Sequence, residues 1–404
     1  MKQQIQNKQL PKGWKEVKLN EVLDYEQPTE YIVNSEILEE ETGTPVLTAN
    51  KGFVKGYTNE ETGICKDLPV IIFDDFTTDS KFVNFPFKVK SSAMKILKLK
   101  DRRAMLKYIF YQMQTIKVRA TTHKRYYLSE YQNLPFLFPI DSDQKISFNK
   151  QTLIVQEIET QFTRLDEAVK SLTSAKEKLE LYRKAVLNKL FYGANKTFPE
   201  IISKEKHSMK RGPFGGSLKK EIFVPSGYLV YEQYHPINND FHFRRYFISK
   251  EKFEEMKAFS VKPRDLLISC SGTIGRIAEI PEENFKEGII NQALLKITLD
   301  NSKVLNKYFL YLFQSQYIQK HLTKISRGVA IKNVPSVKEL KTIKFPIPTI
   351  QEQTQIVQSI ESKFSVIGKI EQVVETSLEK AEKLRKSILK SAFEGKLIKE
   401  GEIK

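Results

Sequence analysis

The chain has 404 residues, enough for two ordinary domains and their connecting elements. With 40% hydrophobic and 28% charged residues it is not a disordered chain, and no run approaches the ~20 apolar residues that span a bilayer. An excess of 66 Lys and Arg over 49 Asp and Glu, net +17 at pH 7, favours a polyanionic partner, either nucleic acid or an acidic membrane surface. The opening residues Met1 to Gln9 lack the apolar core of a secretory signal. Cys65 and Cys270 lie in unrelated surroundings. Together these predict a cytoplasmic protein with free thiols.

The first segment, 1–148, carries short apolar and β-branched runs such as Pro69-Val-Ile-Ile-Phe, bounded by Gly, Asp and Asn, which read as strands with turns. Segment 149–195 is free of proline, ends near Gly193 and gathers basic residues towards its end, the pattern of a helix stop. Its heptad positions include Ile158, Phe162, Leu165, Leu172, Leu179 and Val186. Segment 196–348 returns to strand-like runs, among them Asp265-Leu-Leu-Ile-Ser, and segment 349–404 is helical again up to Gly395. Its heptad positions include Ile360, Phe364, Ile367, Val374, Leu378 and Ile388.

The two helical segments are copies of one another. Residues 151–193 and 353–395 align without a gap and share 16 identities over 43 positions, too many for accident. The preceding segments correspond more loosely, with LKYIFYQ (106–112) against NKYFLYL (306–312) and LPFLFP (134–139) against IKFPIP (343–348). The shared apolar seam favours pairing of the two helices over two amphipathic helices that each lie on their own domain. At 1.5 Å per residue each would be on the order of 60 Å long, a spacer more than a core element. The expected fold is α+β: two mixed α/β domains separated by two long helices, with a pseudo-two-fold internal repeat. One asymmetry stands out. Pro139 to Gln151 is twelve positions and Pro348 to Gln353 only five, which puts seven extra residues in the first linker.

These residues bring a family into view. LPKGW (10–14), FPIPTIQEQTQIV (345–357), DLLISCSGTIGRIAEI (265–280), GIINQALLKI (288–297) and YFLYLFQS (308–315) resemble the specificity subunit of type I restriction-modification systems. PVIIFDDFTTDSKFV (69–83) and SSAMKIL (91–97) resemble another branch of its target-recognition domains. The resemblance implies that each domain reads one half of a split, asymmetric site in double-stranded DNA. It implies that the helices pair as an antiparallel coiled coil, set the gap and dock two methyltransferase subunits, which nuclease-translocase subunits join. It also implies adenine methylation from S-adenosylmethionine, with that cofactor, ATP and magnesium used by the partners and none held by this chain.

Arg reads guanine and Asn or Gln reads adenine, while Lys and Arg neutralise phosphates. On that chemistry the first domain offers His123, Lys124 and Arg125 beside Tyr126, with Lys51 and Phe53 in the 48–53 loop and Thr77 and Thr78 in the 76–78 turn. The plainer reading of 121–127 is a solvated loop whose tyrosines enter the core. The neighbouring Asp74 and Asp75 could suggest a metal site, but without a third ligand a turn or a cytosine contact is preferred. The second domain offers Lys210 and Arg211 in a glycine-rich basic loop, Ser271 and Thr273 in a tight strand-to-strand turn, and Arg327, Lys332 and Asn333. The 210–216 loop lacks the G-x-x-x-x-G-K-[ST] phosphate cradle, so DNA backbone or a plain turn remains.

No metal-ligand spacing, no Asn-Pro-Pro-aromatic signature and no convincing cleavage cluster accompanies these loops. A non-catalytic role is therefore expected, with catalysis on partners. Two rivals stay open: a fused enzyme with an unrecognised site, and a coiled-coil adaptor that binds no nucleic acid.

Overall fold

The computed structural model describes residues 10–34, 42–48, 52–116, 125–213, 215–325 and 336–398. It divides into two compact units, Met1–Leu172 with Glu375–Lys404, and Thr173–Val374. Their boundaries cut both long helices near the middle rather than at the helix starts, because each half-helix packs on the sheets of its own unit.

The first unit contains β1 (Trp14–Lys18), β2 (Leu23–Glu26), β3 (Thr44–Leu47), β4 (Val54–Thr58), β5 (Val70–Asp74), β6 (Ser80–Val83), β7 (Lys88–Val89), β8 (Met94–Leu99) and β9 (Pro135–Pro139). Four strands form an antiparallel sheet in the order β2-β8-β5-β6. Three form a mixed sheet, β4-β3-β7, in which β3 and β7 run parallel. β1 pairs with β9. The run Val-Ile-Ile-Phe of β5 is apolar at every position because both faces are covered. Ile71 and Phe73 enter the core shared with the helices, while Val70 and Ile72 enter the one shared with the mixed sheet.

The second unit contains β10 (Ala194–Lys196), β11 (Met209–Arg211), β12 (Tyr228–Tyr231), β13 (Phe247–Ile248), β14 (Leu266–Ser269), β15 (Ile277–Glu279), β16 (Gly288–Ile290), β17 (Leu294–Ile297) and β18 (Phe345–Ile347). Its sheets are β11-β17-β14-β15, β13-β12-β16 with β12 and β16 parallel, and the pair β10-β18. Adding nine to each strand number of the first unit yields this topology. The two domains have diverged in sequence but not in strand order.

The central helix runs Phe148–Lys189 and the C-terminal helix Ile350–Phe393. In the first unit the Arg385 guanidinium lies 4.3 Å from the ring centroid of Phe162 and pairs with Asp166. In the second, Arg183 lies 4.8 Å from the ring of Phe364 and pairs with Glu371 at 2.9 Å. Both members of the second cation–π pair sit 202 positions from those of the first, in exchanged helices. Partner numbers fall as those of the central helix rise, so the helices run antiparallel. Of the expected seam, Ile158, Phe162, Leu165, Val186, Ile360, Ile367, Val374 and Ile388 are buried. Leu172, Leu179, Phe364 and Leu378 are half-buried.

Each domain is fastened to the helices by the same set of side chains. Tyr108 donates to the Leu137 carbonyl at 2.8 Å and packs its ring 5.2 Å from Phe393. Tyr308 donates to the Pro346 carbonyl at 2.7 Å and packs 5.6 Å from Phe191. Gln151, fully buried, accepts from the Met105 amide at 2.8 Å and donates to the carbonyls of Arg103 and Ser147. Gln353, equally buried, accepts from Leu305 at 2.8 Å and donates to Lys303 and Pro348. The seven extra residues of the first linker do not disturb this lock. They fold into a small hairpin closed by an Ile140–Ile146 bridge, with Asp141 accepting from the amides of Asp143 and Lys145.

A buried amide with every hydrogen bond made is costly to replace by an apolar group, because backbone partners are stranded. Gln151→Leu and Gln353→Leu are each expected to destabilise the protein by about 1–3 kcal/mol. Denaturant titration of each variant measures this, and unchanged midpoints would show that the locks carry no stability.

Candidate nucleic-acid interface

The strand directions bring several loops of each unit to one end of its sheets. In the first unit β2 ends with Glu26 opposite Ile96, and β5 ends with Asp74 opposite Met94. The parallel strands β3 and β7 end together, with the Lys90 amide donating to the Leu47 carbonyl. Thr48 with Phe53, and the segments 75–79 and 90–93, therefore lie side by side. Residues 125–127 join them, since the Tyr126 amide donates to the Asp75 carbonyl at 2.9 Å. In the second unit the equivalent links are Gly212 to Leu294, Asn291 to Tyr231, and Cys270 to Ala293. They gather the segments 211–213, 232–234, 270–276 and 291–293.

Most of the described residues singled out from the sequence fall at these ends. Thr77 and Arg125 are exposed, and Phe53 and Thr78 are half-buried. Arg211 is half-buried at the end of β11, Ser271 is half-buried and Thr273 exposed. Lys210 precedes Arg211 in β11 and rests its ammonium 4.9 Å from the Phe259 ring centroid. Lys51, His123, Lys124, Arg327, Lys332 and Asn333 lie outside the described residues. Tyr126 requires correction. At 2% exposure it belongs to the core, because its segment is hydrogen-bonded inward to Asp75, and it offers no ring to a base.

The paired aspartates build the turn. Asp74 Oδ1 accepts from the amides of Phe76 at 2.8 Å and Thr77 at 3.3 Å, which shapes the Phe76–Thr78 loop. Asp75 Oδ1 accepts from the Tyr127 amide at 2.8 Å, and its Oδ2 lies 3.4 Å from Lys95 Nζ. Lys95 is 1% exposed and lies 5.7 Å from the Tyr25 ring centroid. Asp75 thus latches the Arg125 segment to the Thr77 turn. Among the described residues no group of three or more His, Cys, Asp or Glu could hold a metal ion.

The second unit solves the same turn differently. Ser269 Oγ donates to the Thr273 carbonyl at 2.6 Å and accepts from the Arg276 amide at 3.0 Å. Gly272 and Gly275, at φ +65° and +74°, take the left-handed backbone that the turn requires. Glu232, Gln233, Asn291 and Arg276 also stand at this end and escaped the sequence reading. The available signal was polar pairs directly after buried strands, Glu-Gln after Tyr-Leu-Val-Tyr and Asn-Gln after Gly-Ile-Ile.

Comparison with known proteins agrees with this architecture. Residues 215–379 match the type I restriction modification DNA specificity domain. The specificity subunit of the Escherichia coli type I restriction enzyme EcoR124I/EcoR124II is 29% identical over 369 residues, covering 86% of each chain. That of the E. coli EcoBI enzyme is 34% identical over 151 residues, 37% of this chain and 31% of that one. Among solved structures, a chain from a study of type I restriction-modification complex assembly and conformational transition superposes with a TM-score of 0.68. It is 17% identical and covers 96% of this chain and 100% of that one. The HsdS subunit of Thermoanaerobacter tengcongensis gives 0.57 at 16% identity, covering 97% and 99%. These last two likenesses concern the fold alone.

Two domains of one topology, each packed on the paired helices, are the architecture that these comparisons share. Residues 215–379 carry the type I restriction modification DNA specificity domain, and over 86% of its length the chain is similar to a type I specificity subunit. Among the described residues no helix is long and apolar enough to cross a membrane.

Removing one partner of a buried ion pair strands the other charge. Asp75→Ala is therefore expected to destabilise the first unit by about 3–5 kcal/mol, and the double change with Lys95→Met to recover part of that loss. Thermal unfolding of the single and double variants measures the coupling, and additive losses would dissolve the latch.

Proposed function

We propose that each domain reads one half of a bipartite, asymmetric DNA site, and that the helix pair fixes the gap between the halves. The observation that carries this reading is the duplication: one topology twice, each copy with its own gathered loops, fastened by the same side chains to a shared helix pair. Divergence concentrated in the domains fits two readers of different sequences, and conservation of the helices fits a frame. A chain of net +17 suits phosphate contact along duplex DNA.

Catalysis then falls to partners. Each unit has a groove where the helix pair meets a short helix, Leu106–Met113 in one and Asn306–Gln314 in the other. Tyr111, Gln114, Phe162, Arg385, Lys386 and Leu389 line the first groove. Their counterparts Tyr311, Gln314, Phe364, Arg183, Lys184 and Leu187 line the second. Two equivalent grooves support two copies of one partner, here two methyltransferase subunits. Those subunits would supply S-adenosylmethionine chemistry on adenine, and nuclease-translocase subunits would use ATP and magnesium to cleave.

Base-resolved methylation mapping in cells that express this chain with its methyltransferase subunit tests the reading. A split motif of fixed gap, methylated in both halves and lost without this chain, is the expected result. No methylation dependent on this chain, despite a formed complex, would overturn it. Inserting four residues near Leu172, about 6 Å of helix, is expected to change the preferred gap. An unaltered gap in a still-active complex would sink the spacer role. Arg125→Ala should weaken reading of one half-site only, by about 1–3 kcal/mol if it contacts a base. Equal loss at both halves in a folded protein would refute independent reading.

A further inference from the structure

At the loop end of the second unit, two acceptor oxygens have nothing to accept. β12 ends at Tyr231, and the chain turns at once through Glu232, Gln233 and Tyr234. The turn is fixed from inside. The amide nitrogen and the carbonyl oxygen of Glu232 each lie 2.9 Å from Nδ1 of His235, and Nε2 of that fully buried ring lies 3.0 Å from the Phe243 carbonyl. The ring thus pegs the turn through both of its nitrogens.

Beyond this peg, Glu232 Oε2 and Gln233 Oε1 are shielded from solvent, and neither has a hydrogen-bond partner. Burial pushes the Glu232 carboxyl above its ordinary range, with Arg245 and His235 opposing. Both side chains line a cavity completed by Tyr234, Phe243, Arg245 and Asn291. Tyr234 and Phe243 lie against each other, centroids 4.1 Å apart. Asn291 Oδ1 already accepts from the Ala293 amide at 3.0 Å, so a ligand would meet its amide nitrogen. Buried acceptors without partners are uncommon in folded proteins, and two adjacent ones at a binding end ask for a donor. A phosphate offers none and is repelled by a carboxylate. In the major groove the donors are the exocyclic amines, N4 of cytosine and N6 of adenine.

We propose that Glu232 and Gln233 are specificity-determining residues that accept hydrogen bonds from exocyclic amines of bases in the half-site of the second domain. Glu232 takes cytosine N4. Gln233 takes adenine N6 and donates its own amide N–H to N7 of the same base. This rests on the reading above, in which that domain binds one half of a split site.

Methylation mapping of the wild-type, Glu232→Gln and Gln233→Glu chains with the methyltransferase subunit provides the test. The wild-type motif is expected to hold cytosine and adenine in the second half-site. E232Q is expected to shift one position from cytosine towards adenine, and Q233E one from adenine towards cytosine, with the first half-site and the gap retained. Discrimination at the affected position should change between about 5- and 150-fold, the equivalent of 1–3 kcal/mol. A measurement on unaltered protein guards against misfolded variants. The wild-type complex should bind DNA with 2-pyrimidinone, which lacks the N4 amine, in place of that cytosine about 5- to 150-fold more weakly. A second half-site without cytosine or adenine, or unchanged motifs in both variants, or undiminished binding to the 2-pyrimidinone duplex, would each overturn the amine assignment alone. If the wild-type chain directs no split motif at all, the failure belongs to the two-reader scheme.

Discussion

The structure depends on the antiparallel pairing of two related helices, and that pairing is pinned where an arginine of one lies on a phenylalanine of the other. Arg385 on Phe162 and Arg183 on Phe364 are one interaction made twice. A guanidinium over a ring accepts both desolvation and packing, and the aspartate or glutamate beside it fixes its direction. Because the helices exchange roles at the two contacts, the first half of each must meet the second half of its mate. Each compact unit is consequently assembled from segments far apart in sequence.

The same logic extends outward into the domains. The buried glutamines, the tyrosine hydroxyls on strand carbonyls and the aromatic pairs repeat from unit to unit. The loops at the far ends of the strands do not. Asp75 with Lys95 holds one turn, while Ser269 holds its counterpart. Two solutions to one backbone problem are what different surfaces on an identical scaffold require.

The long helices were legible because a 3.5-residue seam over more than ten turns is a strong signal, doubled by the internal copy. Strand pairing was not, since strands of two to six residues specify little until the whole sheet closes. The common topology of the domains was hidden for the same reason. Of the candidate interface, the residue chemistry pointed to Thr77, Arg125, Arg211 and Thr273, which the strand order brings to one end of the sheets of their own unit. Tyr126 was misread because an aromatic residue beside basic ones looks the same in a sequence whether it faces DNA or the core. Glu232 and Gln233 were passed over because acidic and amide side chains in a basic protein draw no attention. Their meaning lies in having no internal donor, which only coordinates reveal.

The unequal way in which the chain closes its two units bears on how the protein is made. The second unit, Thr173–Val374, draws on one continuous stretch of chain, so none of its contacts waits for a later segment. The first unit must wait for Glu375 and beyond, including Phe393 against Tyr108 and Gly395, whose neighbours are Pro11 and Trp14. The domain synthesised first is thus the one completed last. Until then its helix-facing apolar surface, with Tyr108 and Phe162 among it, is a natural client for chaperones during synthesis.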